Sequence, residues 1–262
     1  MQVVVLCKPV PDPASGTARI GGNSLLDRDA ASLVLNGNDE YALEAALSLV
    51  ETHGGEVRVL AMAPASGTEA VRRALAMGAS SATVVEDELL AGADLPTTAR
   101  VLAAAAAAMM PLDLLLVGVD TSDGAAGVIP AAIAARLELP LLPRAAAIEV
   151  APDGRGVNVQ SVTAKGQDRL TAPMPAVVSC TQALGAPRYP SLKGVIGARS
   201  KAIRRLTVAE LGPDLVHEPG WTTEVVAVGD APQAATGRRI VVPAPDAARI
   251  ALELLAERGI VQ

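Results

Sequence analysis

Short apolar runs alternate with segments of helical periodicity along the first 150 residues of the chain. The runs are aliphatic or β-branched, and turn residues separate them from amphipathic segments. This alternation is typical of a mostly parallel sheet that helices cover on both faces. The pattern predicts an α/β domain with strands at residues 3–6, 57–62, 82–85 and 112–117.

The intervening segments carry start and stop signals for helices. Asn38 is the expected cap of a first helix, and Thr68 is the expected cap of a second helix that ends before Gly78. Asp94 with Pro96 predicts the start of a third helix. The predicted helices cover residues 38–52, 68–77, 94–110 and 128–137.

The pattern changes after residue 145. Strands at residues 145–150, 157–164, 170–172 and 176–180, with tight turns between them, predict a β-hairpin region that is either an insertion or an edge of the sheet. Residues 212–237 are dotted with Pro and Gly, and residues 246–257 form an amphipathic pattern. We therefore predict an α/β domain over residues 1–207, followed by an extended C-terminal arm and docking helix over residues 208–262.

Composition narrows the choice of partners. The 28 acidic residues exceed the 22 Lys and Arg residues and give a net charge of −6, so no general attraction to nucleic acid or to an anionic membrane is expected. There are two cysteines and no apolar run near 18 residues. These features predict a cytoplasmic protein without direct membrane insertion.

The loop after the fourth predicted strand is the main candidate for ligand binding. A loop at the carboxyl end of a parallel strand offers backbone N–H groups to a phosphate where the next helix begins. Thr121 and Ser122 add hydroxyl groups, and Gly124 and Gly127 allow the backbone to turn. Asp123 would repel a phosphate unless it caps the helix or binds a sugar hydroxyl. On these residues alone, a phosphate loop and an ordinary connection remain equal alternatives.

The sequence shows no catalytic or metal-binding constellation. No P-loop, Gly-x-Gly-x-x-Gly, Gly-x-Ser-x-Gly, His-Glu-x-x-His or Cys-x-x-Cys motif occurs. Cys7 has no nearby histidine and is interpreted as a core residue. We expect neither a catalytic residue nor a bound metal.

Residues 187–201 combine apolar and basic side chains in an otherwise acidic chain. This mixture fits a loop that docks on a partner protein, with an apolar residue at its centre and basic residues that steer the encounter. A solvated basic helix remains the alternative. The predicted docking residues are Leu192, Val195, Ile196, Arg199 and Lys201.

Several motifs occur in an order that resembles the β-subunit of the electron transfer flavoproteins over nearly the whole chain. They include Lys8-Pro9-Val10-Pro11-Asp12, Ala70-Val71-Arg72-Arg73-Ala74-Leu75-Ala76-Met77-Gly78-Ala79, Thr121-Ser122-Asp123-Gly124-Ala125-Ala126-Gly127, Pro187-Arg188-Tyr189 and Leu192-Lys193-Gly194. The resemblance implies a Rossmann-like adenine-nucleotide-binding fold and an electron carrier rather than an enzyme. It also implies a heterodimer with an α-subunit, with FAD at the interface between the subunits.

The resemblance further implies that this chain binds AMP. The implied contacts are Leu6, Asn36, Gly37, Asn38, Asp39, Met62, Asp120, Thr121, Ser122, Asp123, Gly124, Ala125, Ala126, Gly127, Val128, Ile129, Pro130 and Ala131. The flavin would take electrons from acyl-CoA dehydrogenases or related donors, as in fatty acid oxidation, and pass them to a quinone oxidoreductase. The arm with Ala235, Thr236, Gly237 and Arg238 would pack against the α-subunit.

Three positions depart from the family pattern: Lys165 in the turn before the last hairpin strand, Gly197 with Ser200 in the docking segment, and Pro13 near the expected flavin wall. Two alternative functions are less favoured. A stand-alone adenine-nucleotide sensor is expected to lack the long arm, and an ATP-splitting enzyme of the same fold needs a Ser-Gly-Gly-x-Asp-Ser loop where this chain has Lys8-Pro9-Val10-Pro11. The choice between AMP and a second FAD in the β-subunit site remains open.

Overall fold

Eleven strands are present in the part of the chain that the computed structural model describes, which is residues 1–22, 24–212, 215, 223, 225–229, 237 and 239–261. They are β1 (Gln2–Leu6), β2 (Pro9–Pro11), β3 (Leu33–Leu35), β4 (Glu56–Met62), β5 (Ser81–Val85), β6 (Leu114–Gly118), β7 (Leu141–Val150), β8 (Gly156–Thr163), β9 (Gly166–Pro173), β10 (Ala176–Cys180) and β11 (Ile203–Leu206).

Nine of these strands form one sheet in the order β11-β5-β4-β1-β6-β10-β7-β8-β9. Neighbours from β11 to β7 are parallel, whereas β7, β8 and β9 pair antiparallel. The prediction of a mostly parallel sheet is confirmed, and the hairpin region lies at its edge. The short strands β2 and β3 form a separate antiparallel pair.

Helices cover both faces of the sheet. The sheet is covered by α1 (Gly37–His53) and α2 (Thr68–Met77) on one face and by α3 (Leu95–Ala107) and α4 (Ile129–Leu137) on the other. Three further helices follow in the chain: α5 (Leu192–Ser200), α6 (Val208–Leu211) and α7 (Ala244–Glu257). Alternate residues of a strand point to opposite faces. Val3 and Val5 therefore join the core layer of α1 and α2, while Val4 joins the layer of α3 and α4.

Two helix starts differ from the predicted ones. Asn36, not Asn38, is the residue before α1, and the Asn38 amide turns toward Asp120 instead of capping the helix. Thr68 is already the first residue of α2, because a 3₁₀ turn over Ala65–Gly67 leads straight into the helix. The Thr68 hydroxyl donates to the Ala65 carbonyl at 2.7 Å.

The segment after residue 191 holds the helix that was left open as an alternative and a strand that the sequence did not indicate. It contains the helix α5 and the strand β11, which pairs in parallel with β5. The third helix ends earlier than predicted, at Ala107 instead of residue 110.

The described chain divides into two units, Met1–Val226 and Ala227–Gln262. The predicted boundary after residue 207 stays a prediction, and Ala235, Thr236 and Arg238 of the predicted arm lie outside the described residues. Within the second unit, α7 agrees with the predicted amphipathic helix and leaves Leu252, Leu254 and Leu255 exposed. A membrane-spanning helix is not found in the described ranges, since none combines the required length and apolarity.

Candidate functional site

The strand order creates a crevice beside β1. From β1 the chain moves outward to β4 and β5, and it then returns to place β6 on the other side of β1. Connections therefore leave the carboxyl ends of β1 and β6 in opposite directions, which is where open α/β sheets bind their ligands. Leu6 and Gly118 end these two strands, and Met62 ends the neighbouring strand β4 at the same edge.

Two asparagines at the start of α1 hold the loop that follows β6. Asn36 Nδ2 donates to the Asp120 carbonyl at 2.9 Å, and Asn36 Oδ1 accepts from the Ser122 N–H at 3.2 Å. Asn38 Nδ2 donates to Asp120 Oδ1 at 2.5 Å. Because Asn36 is buried and uses both ends of its amide, it fixes the loop against the helix. The structure thus brings Asn36 and Asn38 into contact with residues 120–122 of the loop.

Asp39 lies below this contact and is only 3% exposed. Its Oδ2 accepts from the Lys8 N–H at 2.7 Å, and Gly118 N–H also bonds its carboxylate. Burial raises the pKa of Asp39 from 3.8 to about 7, although these hydrogen bonds and one from Asn36 oppose the shift. The carboxyl group therefore links the ends of β1 and β6 to α1 from inside the protein.

Asp123 pairs with two cations from a distant part of the sequence. Its oxygens lie 2.8 Å from Lys8 Nζ and 2.5 Å from Arg28 Nη2, and its side chain is 7% exposed. Burial alone would raise the pKa of Asp123, but hydrogen bonds from both cations outweigh it and hold the pKa well below its usual value. The carboxylate of Asp123 is therefore accommodated in the loop because two cations compensate its charge.

The end of the loop leaves several backbone donors free. Among the described residues, no acceptor is found for the N–H groups of Gly124, Ala126, Gly127 and Val128. All four residues are exposed, and they immediately precede α4. Gly127 has a positive φ of 62°, which glycine adopts without strain. The arrangement is suited to an oxyanion at the N-terminal end of a helix.

The remaining predicted contacts follow in order along α4. Ile129 and Pro130 begin the helix, and Pro130 costs no hydrogen bond there because the first N–H groups of a helix have no partner within it. Ala131 is exposed in the first turn. Gly37 and Ala125 are also exposed beside the crevice residues Asn36 and Gly124.

The two cysteines are part of the core. Cys7 is 3% exposed and Cys180 is completely buried. Burial raises the pKa of both thiols, and the carboxyl group of Asp39 adds to the effect. A thiol held neutral in this way is a poor nucleophile or metal ligand. In the described ranges no group of three or more His, Cys, Asp or Glu side chains is placed to hold a metal ion.

The predicted docking segment forms α5 and presents apolar side chains to solvent. Leu192 is 77% exposed and Ile196 is 62% exposed, with Val195 and Arg199 exposed beside them. Lys201 differs from these four residues: its Nζ donates to the carbonyls of Leu75 at 3.1 Å and of Ala79 at 2.6 Å. Its amino group therefore joins α5 to the end of α2.

A second set of contacts fixes the chain before α5. Arg188 Nε donates to Glu44 Oε2 at 2.8 Å, and Arg188 Nη1 lies 2.5 Å from Glu51 Oε1. The hydrogen bonds that the guanidinium donates to the carboxylates of Glu51 and Glu44 raise its pKa still further above its already high value. Arg188 is part of the predicted motif, but its partners on α1 could not be identified from the sequence.

Comparison with known proteins adds evidence for the family. The family described as electron transfer flavoprotein domain matches residues 24–211. The chain belongs to the electron transfer flavoprotein family. It is 36% identical over 262 residues to an electron transfer flavoprotein subunit beta of Mycobacterium leprae, covering 98% of this chain and 93% of the relative.

Other members of the electron transfer flavoprotein family are similar over much of the chain. A subunit beta from Thermoanaerobacterium thermosaccharolyticum is 32% identical and covers 87% of each chain. The caffeyl-CoA reductase-Etf complex subunit CarD of Acetobacterium woodii is 31% identical, with 78% of this chain and 77% of the relative covered. The names of the subunits beta describe electron carrier subunits, and the prediction of a β-subunit-like carrier rather than an enzyme is confirmed.

The sequence did not predict the two cations that pair with Asp123 in the crevice. Arg28 lies 95 residues before Asp123 and outside any motif, so nothing in the sequence indicated that the two residues pair. Lys8 belongs to one of the family motifs, but its contact with Asp123 was not predicted.

Proposed function

We propose that this chain is the β-subunit of an electron transfer flavoprotein heterodimer, with AMP in the crevice between β1 and β6. The observation that carries the proposal is the loop at residues 120–128. Asn36 and Asn38 hold its first half, and its second half has free N–H groups where α4 begins. A phosphate fits these donors without a catalytic side chain.

The AMP contacts follow from the position of each residue. The phosphate would lie against Thr121, Ser122, Gly124, Ala125, Ala126, Gly127, Val128, Ile129, Pro130 and Ala131, which form the end of the loop and the first turn of α4. The remaining contacts would come from Leu6, Asn36, Gly37, Asn38, Asp39, Met62, Asp120 and Asp123 around the crevice. Their role is binding, because the nucleotide undergoes no reaction here.

FAD would supply the electron-transfer chemistry when the two subunits are assembled. This chain would contribute one wall of that site. Residues 13–16, which follow β2, are exposed and therefore free to contact a second subunit. Pro13 offers no aromatic surface to the flavin, so contacts from this wall are expected to be aliphatic and polar.

The apolar surface of α5 supports docking on an electron donor. Leu192, Val195 and Ile196 are exposed together, and Arg199 adds a positive charge. Exposed apolar residues with neighbouring charge are typical of a transient docking surface. We propose that donors of the acyl-CoA dehydrogenase type bind here and that electrons pass onward to a quinone oxidoreductase. Lys201 would hold the apolar surface of α5 in place through its hydrogen bonds to the carbonyls of Leu75 and Ala79 at the end of α2.

Coexpression with the α-subunit tests the proposal. The chain alone is expected to be colourless and unstable, whereas the coexpressed pair should purify as a yellow heterodimer. Denaturing the heterodimer and quantifying the released nucleotides should give one FAD and one AMP. Two FAD without AMP would refute the AMP assignment, and a stable colourless homodimer that hydrolyses ATP would refute the proposal as a whole.

A further inference from the structure

The ion triad of Lys8, Asp123 and Arg28 lies at the loop that follows β6. Lys8 Nζ is 3.5 Å from Thr121 Oγ1, which places its charge at the loop itself. Arg28 also donates to the Pro9 carbonyl at 3.3 Å, so its guanidinium is fixed at the start of β2. Both cations are partly exposed, whereas the carboxylate between them is shielded.

The charges around the loop are balanced before any ligand binds. Lys8 and Arg28 contribute two positive charges, and Asp123 and Asp120 contribute two negative charges. Asp39 is a further acidic group, buried under the loop. A phosphate must therefore be held by neutral N–H groups and the helix end, and no surplus cation remains in these contacts to compensate more negative charge.

The free donors occupy a short stretch. Gly124, Ala126, Gly127 and Val128 span five residues at one helix end, which suits the few oxygens of a single phosphoryl group. A second phosphoryl group adds negative charge and needs donors of its own. The nearest cationic donors, Lys8 and Arg28, are already engaged by Asp123.

We infer that Asp123 makes the crevice selective for a nucleoside 5′-monophosphate over the 5′-diphosphate by engaging Lys8 and Arg28. The inference rests on the proposed function, since it concerns the ligand of the same site. It assigns Asp123 the role of a specificity-determining residue: its carboxylate occupies the two cations that a second phosphoryl group would otherwise recruit.

The test uses the purified wild-type heterodimer and its Asp123→Asn variant. Each is incubated with AMP and ADP at equal concentrations, both in excess over the protein. After removal of free nucleotide and denaturation, chromatography gives the ratio of bound AMP to bound ADP. The wild type should retain AMP over ADP by at least about tenfold. In Asp123→Asn, the freed cations should lower this ratio by about tenfold or more. Asp168→Asn removes an exposed carboxylate on β9 and is the matched control, with the wild-type ratio expected.

Arg28→Gln tests the same idea in the opposite direction. It keeps the carboxylate and removes one positive charge, so the charges around the loop become net negative. Binding of the more highly charged ADP should then fall more than binding of AMP, and the AMP to ADP ratio should rise. General damage to the loop would instead change the AMP to ADP ratio in the same direction in both variants. That result would overturn the inference. A wild type that retains AMP together with an unchanged ratio in Asp123→Asn would also overturn it. A wild type that binds neither nucleotide would refute the proposed AMP site and the inference with it.

Discussion

Gly118 shows how closely the crevice is built at the level of single residues. A Cβ atom at this position would overlap Asp39 Oδ1 and lie 2.9 Å from the carbonyl carbon of Asn38. We expect Gly118→Ala to force β6 away from α1 and to destabilise the protein by roughly 1–3 kcal/mol, the usual cost of overpacking. Thermal unfolding of the heterodimer would measure the loss of stability, and its AMP content would report the displacement of β6 from α1 at the crevice.

Gly124→Ala is the matched control for this substitution. A Cβ at Gly124 would be 3.5 Å from Thr121 Oγ1 and 4.0 Å from Lys8 Nζ, which are ordinary contacts. The free energy of unfolding should therefore change by less than about 0.5 kcal/mol. If the two alanine variants were equally stable, the close approach of β6 to α1 would have no energetic consequence.

Asp39 is expected to make stability depend on pH. Its pKa is about 7 when folded and 3.8 in the unfolded chain, so between these values the folded protein holds a proton that the unfolded chain has released. The contribution of Asp39 to stability is therefore greatest below about pH 4, declines as the pH rises to 7 and is constant above 7. The variant Asp39→Asn removes this titration, because an amide side chain does not ionise.

The measurement is the free energy of unfolding of wild type and Asp39→Asn heterodimers at about pH 5 and about pH 8. The advantage of the wild type should shrink by roughly 2–3 kcal/mol between the two, since each unit of pKa difference is worth about 1.4 kcal/mol. Asp168→Asn, which alters an exposed carboxylate, should show no such change. A difference that stays constant with pH would contradict the raised pKa.

At the level of elements, α5 and α2 meet backbone to backbone. A Cβ at Gly194 would overlap the Ala76 carbonyl oxygen, whereas a Cβ at Gly197 would meet nothing within 4 Å. Gly194→Ala should separate the helices and cost roughly 1–3 kcal/mol. Gly197→Ala should instead stabilise the protein by up to about 1 kcal/mol, through the higher helix propensity of alanine.

Thermal unfolding of the two variants distinguishes this packing from a loosely attached helix. Gly194→Ala should also bind the electron donor more weakly than Gly197→Ala does. The apolar surface of α5 that includes Leu192 keeps its position only while α5 packs on α2. Equal stability of Gly194→Ala and Gly197→Ala would show that α5 moves away from α2 at little cost.

Elements with a strong apolar pattern could be predicted from the sequence, whereas α5 was only one of two alternatives for its segment and β11 was not predicted. Buried runs such as Val3-Val4-Val5 identify a central strand because both faces of the sheet are covered. In contrast, α5 contains two glycines and has one buried residue, Ala198. The edge strand β11 has exposed arginines at its centre, so it lacks the apolar signal of a strand.

The candidate site divides in a similar way. Its loop could be predicted because the strand, the small residues and the helix are consecutive in sequence. Its side-chain partners could not, since the contacts of Asn36 with Ser122 and of Arg28 with Asp123 join residues 86 and 95 positions apart. Such pairings are fixed by the tertiary fold, and a single sequence contains no local pattern that reports them.

At the scale of the whole molecule, the helix α7 of the second unit has an apolar face, and none of its residues is buried. On α7, Ile250, Leu254 and Leu255 lie on one side, while Arg249 pairs with Glu253 at 2.8 Å on the other. Exposed apolar faces of this kind are costly in water and typical of protein interfaces. In a family of two-subunit carriers, the α-subunit is the expected partner for this face.

Leu254→Asp tests this expectation against Ala256→Asp, which introduces the same charge on the polar side of α7. A carboxylate in an apolar contact is desolvated without a partner, so Leu254→Asp should weaken binding of the α-subunit at least about tenfold, equivalent to about 1.4 kcal/mol. Ala256→Asp should leave binding near that of the wild type, because the new charge stays in solvent. Pull-down of the tagged α-subunit and the flavin absorbance of the purified complex would report the difference. Equal loss in both variants would indicate damage to the helix, and no loss in either would place the α-subunit elsewhere on the chain.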